Sequence, residues 1–307
     1  MHDMTLKAGV AGAGVFGGYH ANKYAEAADA TLAAIYDPDP DRAAMAAKMH
    51  DCEACTDYND FLSKVDLLTI AAPASFHYEL ALRALKSGRH CLVEKPIALN
   101  VADADRLIEV AEAENLVLQI GHQERYVFEA FGILSRADKP REVRSRRLNK
   151  FSGRAMDVSV VFDLMIHDLD MLCQIAGGAV ERLTASEVCE HGPHSDRTEA
   201  EIVFAGGLKA SLAASRLEQS PTRDMTLVYD DGEIVIDFLK REITNTTGTP
   251  LALEFGAENA PLAFSDPLAF GTQSFIRSVM TGEAPIVSGK AGRAALDLAI
   301  RIEQAAA

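Results

Sequence analysis

"VAGAGVFGGYH", Val10 to His20, decides how the rest of the chain is read. Gly12, Gly14 and Gly17 stand in G-x-G-x-x-G order between the apolar run "LKAGVAG" and the amphipathic run "FGGYHANKYAEA". In a strand that feeds a helix, the first such glycine permits the tight turn. The second lets a pyrophosphate approach the backbone, and the third lets helix and strand pack closely. Val15 and Phe16, between the last two glycines, open the helix beside whatever the turn holds. The next apolar run, "ATLAAIYD", ends in Asp37. A carboxylate at that place accepts hydrogen bonds from a ribose diol and repels a 2′-phosphate, which favours NAD over NADP. Two other readings stay open: Asp37-Pro38 is also ordinary turn chemistry, and Arg42 offers a cation that would tolerate a phosphate.

Outward from this turn, short apolar runs alternate with amphipathic ones as far as Ile120. "PDRAAMAAKM", "HYELALRALKSG" and "ADADRLIEVAEAEN" read as helices; "VDLLTIAAP", "HCLVEKP" and "LVLQIGH" read as strands. Strands each separated by a helix predict a doubly wound parallel sheet covered on both faces, over residues 1–122. From residue 123 the rhythm changes. A helix is expected around Val127–Ala137, then longer alternating strands with turns at "AGG" (Ala205–Gly207) and "DDG" (Asp230–Gly232). Helices at "DLMIHDLDMLCQIAG", "LAFGTQSFIRSVMTG" and "AGRAALDLAIRIEQAAA" complete the pattern. The expectation for 123–307 is an α+β domain with a large, mostly antiparallel open sheet.

Composition excludes several classes. A chain of 307 residues with a formal charge of −15 lacks the cationic surplus that nucleic acid requires. No stretch approaches the roughly 18 apolar residues of a membrane span, and the start lacks a leader's basic region and cleavage site, so the expectation is a cytoplasmic protein. Five sparse cysteines make no disulfide framework. Cys52 and Cys55 have knuckle spacing but no second ligand pair, so no metal is expected. One segment departs from the acidic balance: Arg136 to Arg154 carries eight basic residues and two acids.

Two places offer proton chemistry. In open α/β sheets ligands lie beyond the carboxyl ends of the strands, and Pro73, His77, Glu94 and Lys95 all fall there. An ammonium at Lys95 can bind a substrate hydroxyl and stabilise a developing alkoxide; a structural pair with Glu94 is the bland alternative. In "FDLMIHDLDML", Asp163 and His167 are four apart on one helical face, an imidazole with a carboxylate to orient it. A histidine on a helix is also commonly structural, and Asp168 and Asp170 read as solvated acids or caps.

Taken in order, "GVAGAGVFG", "DPDPDR", "AAPASFH", "LVEKPIAL", "DLMIHDLDML" and "APIVSGKAGRAALDLA" resemble the glucose–fructose oxidoreductase / inositol dehydrogenase (Gfo/Idh/MocA) family of NAD(P)-dependent oxidoreductases. The resemblance implies a Rossmann domain followed by an α/β domain whose open sheet supports homodimers or homotetramers. It implies Lys95 as catalytic lysine, His167 as acid/base and Asp163 as the helix aspartate. The family often has Asn where this chain has Ala74, so one cofactor contact near Pro73 is in doubt. "GHQERY" is similar to members that oxidise the 3-hydroxyl of UDP-N-acetylhexosamines, which places Arg125 and Tyr126 near substrate. Arg146, with Arg144 or Lys150, would grip the pyrophosphate of a UDP-sugar such as UDP-N-acetylglucosamine. Dehydrogenases of free sugars or inositols, non-catalytic NAD- or sugar-sensing regulators, and NAD-dependent glycosidases of the same fold are the alternatives.

Overall fold

The computed structural model describes residues 5–253 and 260–307; the first four residues, on which the leader reading partly rests, lie outside the described residues. The chain divides into two compact units. One runs to His122 and takes in Leu268–Arg293; the other comprises Gln123–Pro267 and Ala294–Ala307.

The first unit contains β1 (Leu6–Ala11), α1 (Val15–Ala25), β2 (Ala30–Tyr36), α2 (Pro40–Met49), β3 (Glu53–Cys55) and α3 (Tyr58–Ser63). It continues through β4 (Leu67–Ile70), a 3₁₀ turn at Ala74–Phe76, α4 (His77–Lys86), β5 (His90–Val93), α5 (Val101–Ala113) and β6 (Leu118–Ile120). The strands lie in the order β3-β2-β1-β4-β5-β6, all parallel. The order reverses between β1 and β4, the switch point where such sheets bind ligands. The central strands β4 and β5 read as continuous apolar runs because both faces are covered. Local chemistry starts the helices: the Asp39 carboxylate accepts from the Asp41 and Arg42 amides, with Pro40 opening α2.

The second unit begins with α6 (Glu124–Ala130) and β7 (Glu142–Leu148). A π-helical turn at Val161–Met165 leads into α7 (Ile166–Ile175). Then follow β8 (Val180–Val188), β9 (Arg197–Phe204), β10 (Lys209–Ser215), β11 (Thr222–Val228), β12 (Glu233–Asp237), β13 (Glu242–Asn245) and α8 (Leu262–Ser265). The seven strands run β13-β12-β11-β7-β10-β9-β8, antiparallel except for the β7–β10 pair. The α6 helix sits three residues earlier than its sequence pattern suggested and stops short. Gly132, at φ +69°, turns the chain, with its amide on the Glu129 carbonyl.

Two last helices, α9 (Pro267–Thr281) and α10 (Gly289–Ala306), carry residues of both units. Here the structure differs from the sequence reading, which gave all of 123–307 to one domain. Phe275 and Ile276 of α9 are buried in the same cluster as Val10, Tyr24, Leu67 and Leu92. Ile120 donates its amide to the Val287 carbonyl at 2.9 Å, so the returning segment also covers the β6 edge. A pattern of helix and turn signals shows that α9 exists, but not which core its apolar face joins.

Candidate functional site

The glycine turn has the shape its spacing predicts. Gly12 has φ +107°, and a side chain there would meet the Ala71 carbonyl oxygen at 2.8 Å. At Gly17 a Cβ would fall 1.8 Å from the Gly12 carbonyl, so α1 approaches the turn too closely for any other residue. Gly14 differs. It precedes α1, and no atom lies within 4 Å of where its Cβ would be. Open space before the first turn of an eleven-residue helix, lined by backbone, is what a pyrophosphate needs. Val15 and Phe16 stand exposed on the rim.

Asp37, just past β2, is buried and ties the turn together. Its Oδ2 accepts from the Ala13 amide at 2.9 Å; its Oδ1 accepts from the Asp39 amide at 3.0 Å and from Arg42 Nη2 at 2.9 Å. Each carboxylate oxygen offers about two acceptor positions, which leaves Oδ2 able to take a ribose hydroxyl. These residues therefore fit an adenine dinucleotide. The Arg42 contact partly neutralises the charge that would repel a 2′-phosphate.

Beyond β4 and β5 the predicted residues do different things. Pro73 is exposed. His77 is fully buried: Nδ1 lies 2.7 Å from the Pro96 carbonyl and Nε2 2.8 Å from the Ala72 carbonyl. Burial pushes its pKa down, against the pull of the two carbonyls. Both ring nitrogens of His77 thus face carbonyls, and the ring brackets the end of β4 to the turn that carries Lys95, where the Lys95–Pro96 peptide is cis. Glu94 is buried too, its Oε1 held by His20 Nε2 at 2.8 Å. Its carboxylate packs so tightly on Gly121 that a Cβ there would lie 2.7 Å away. Lys95, next to it, is only partly buried.

In the second unit His167 has a carboxylate neighbour, though not only the one its helix suggested. Nδ1 lies 2.7 Å from Glu124 Oε2, an ion-pair contact rather than an aligned hydrogen bond. Asp163 lies within the π-helical turn, one turn before α7, and like His167 is partly buried. Glu124 is itself clamped: Arg147 Nη1 donates to its Oε1 at 2.8 Å, and Arg147 Nε donates to Asp168 Oδ1 at 2.8 Å. Against burial, which raises it, Arg147, then His167 and then Arg223, 3.8 Å from the carboxylate, hold the Glu124 carboxyl well below the usual range. Burial pushes Asp168 up, with Arg147 opposing.

Three residues expected at substrate have other surroundings here. Arg125 is buried in a bidentate pair with Asp170, Nε to Oδ2 at 3.0 Å and Nη2 to Oδ1 at 2.5 Å, and Tyr126 is buried in the core. Asp168 and Asp170 are accordingly neither solvated nor caps. Arg146 lies on the other face of β7 from Arg147. Its side chain is 60% exposed and pairs with Asp224 across the register to β11, whereas Arg147 is 2% exposed. Strand side chains alternate, so Arg144 and Arg146 share the open face while Ser145 and Arg147 point at α6 and α7. The basic strip hid this parity, because three of its four central residues are arginine. Glu124 and Arg147 were missed for a related reason. Nothing in a sequence links Glu124 to a histidine 43 residues later, and only the exposure pattern of β7 separates Arg147 from Arg146.

Comparison with known proteins bears on both units. Residues 6–122 match the GFO/IDH/MocA model, described as an oxidoreductase family with an NAD-binding Rossmann fold; residues 131–235 match the GFO/IDH/MocA C-terminal domain. The chain is 34% identical to the UDP-N-acetylglucosamine 3-dehydrogenase of Acidithiobacillus ferrooxidans, over 98% of this chain and 97% of that protein. It is 27% identical to the myo-inositol 2-dehydrogenase of Thermotoga maritima, over 95% and 93%. Among solved structures, the Acidithiobacillus ferrooxidans UDP-N-acetylglucosamine 3-dehydrogenase matches with a TM-score of 0.85 at 32% identity, covering 98% of each chain.

Proposed function

The chain belongs to the GFO/IDH/MocA oxidoreductase family and carries that family's NAD-binding Rossmann domain, and from this premise we propose that it oxidises the 3-hydroxyl of UDP-N-acetylglucosamine. The observation that carries the substrate is the end-to-end similarity to a dehydrogenase of that name. Charge on the basic strip no longer supports it, since Arg146 lies on the open sheet face, away from His167.

In this reading Gly12, Gly14 and Gly17 cradle the pyrophosphate, with Val15, Phe16 and Pro73 beside it, and Asp37 takes the ribose. Bound NAD supplies the hydride acceptor. Lys95 donates a hydrogen bond to the reacting oxygen and stabilises the charge that grows there as the carbon loses hydride. His167 accepts the hydroxyl proton through Nε2, and Asp163 binds a substrate hydroxyl near it. The product is a 3-keto sugar nucleotide.

The test is nicotinamide reduction with NAD and, separately, UDP-N-acetylglucosamine, free hexoses and inositols, with Lys95→Met and His167→Phe as controls. Reduction with the nucleotide sugar, lost in both variants, is expected. Reduction with an inositol alone would move the assignment toward the second group of relatives. Silence with every alcohol while NAD still binds would favour a regulator.

We also propose that the chain self-associates through the open face of the second sheet. Arg144 and Arg146 stand there among Glu199, Glu201 and Glu233 around a shallow groove of about 530 Å³, a mixed-charge surface able to meet its own copy. Light scattering that gave the mass of one chain at micromolar concentration would refute it.

A further inference from the structure

We propose that Glu124 is the positioning residue that fixes the tautomer of His167, with the proton on Nδ1 and the lone pair on Nε2. The inference deepens the reading of His167 as proton acceptor and rests on it for its consequence in turnover, though not for the tautomer itself.

Glu124 opens α6, and its Oε2 is the ion-pair partner of Nδ1, at 2.7 Å. An ionised carboxylate only accepts, so the nitrogen facing it must carry the hydrogen. That leaves Nε2 as the base. The carboxylate cannot swing away, because its other oxygen is held by Arg147 Nη1 at 2.8 Å. Arg147 is in turn held through Nε by Asp168, the residue after His167 on α7. One guanidinium on β7 therefore sets the distance between the helix that carries the carboxylate and the helix that carries the imidazole. The charged groups around the pair are Arg147 on β7, Arg223 on β11, Asp168 on α7 and Asp163 in the preceding turn. Hydrogen bonds of this kind are often poorly aligned before substrate binds and tighten afterwards, so the present angle does not argue against the role.

Arg147 also makes the proposal discriminating. In Glu124→Gln the amide has one oxygen and one NH₂. Arg147 can only donate, so the oxygen stays on its side and the NH₂ turns to His167. Nδ1 must then accept, and the proton moves to Nε2. The variant keeps the shape of the site and inverts the tautomer.

The experiment is ¹⁵N NMR of the imidazole rings in the full chain, without and with NAD, at a pH where His167 is neutral. The His167→Phe spectrum assigns the resonance among nine histidines. Wild type is expected to show the Nδ1–H pattern, Glu124→Gln the Nε2–H pattern, and Glu124→Asp and Asp163→Asn the wild-type pattern. Turnover of the alcohol in Glu124→Gln should fall on the order of 10²- to 10⁴-fold with the NAD Michaelis constant within about twofold, and Glu124→Asp should recover part of it. An Nε2–H tautomer in wild type, read against the His167→Phe spectrum, overturns the proposal even where no Glu124 variant folds. Inversion by Asp163→Asn in place of Glu124→Gln also overturns it. Inversion by Glu124→Gln in a protein that oxidises no tested alcohol upholds the positioning role and refutes the dehydrogenase reading separately.

Discussion

Arg146 and Arg147 are neighbours of identical chemistry, and replacing each with methionine should have very unequal consequences. In Arg147→Met the Glu124 and Asp168 carboxylates, each 2.8 Å from the lost guanidinium, stay buried without it. Breaking a buried pair from one side costs about 3–5 kcal/mol. Asp168, already pushed up by burial, relieves part of this by taking a proton, which places the expectation near the lower end, at about 3 kcal/mol. Arg146→Met removes a pair whose guanidinium side chain is 60% exposed, worth about 0–1 kcal/mol. With a urea dependence of about 2 kcal/mol per molar, the denaturation midpoint should drop by roughly 1.5 M in the first variant and by less than about 0.5 M in the second. Far-UV circular dichroism against urea measures both, the chain having no tryptophan. Equal shifts, or a larger one for Arg146→Met, would refute the assignment of the two faces of β7.

Four further outcomes follow from the same structure. Gly17→Ala should abolish NAD binding through loss of the turn. Gly14→Ala, with open space around the new methyl, should leave the urea midpoint unchanged and weaken NAD at least about tenfold by calorimetry; unchanged affinity would place the pyrophosphate elsewhere. Phe275→Ala should destabilise the cofactor-binding unit by about 3–5 kcal/mol, read as loss of amide-exchange protection in β1 and β4; loss confined to residues 123–267 would contradict the grouping of α9 with the first core. The folded pKa of Glu124 lies below its unfolded value of roughly 4.3, so the unfolded chain binds that proton first and stability rises with pH between the two. The stability gap between wild type and Glu124→Gln should be widest above the ordinary glutamate range and close as pH falls through Glu124's own titration. Asp168 works in the opposite sense, and less strongly in the variant, because the Glu124 charge is among the causes that raise it. A gap that grows in acid would refute the sign.

How much was legible in the sequence depended on the range of the interaction. The glycine turn, Asp37 and the alternation of strands and helices are set by residues within a few positions of one another, and each appears where its spacing suggested. Short elements escaped: β3 and α3 are three and six residues long, too brief for a period to show. Side-chain partners were the least legible. His77 looked exposed because it follows a strand's carboxyl end, yet two carbonyls from different loops enclose it. Arg125 looked like a ligand for substrate, and an aspartate 45 residues away takes it. In each case a buried polar side chain was read as a functional one, because a sequence shows the group and not the partner that satisfies it.

The return of Leu268–Arg293 to the first unit sets an order on the chain's synthesis. Every strand of the cofactor-binding sheet has been made by His122, but the Phe275 ring that fills its core comes roughly 150 residues later, on the order of 10 s or more at ordinary ribosomal speed. During that interval the nascent sheet has an unfilled apolar hollow and an uncovered β6 edge, the surfaces that chaperones recognise. A message truncated after Pro267 would yield a protein with all of its nucleotide-binding motif and none of the plug that closes the domain beneath it.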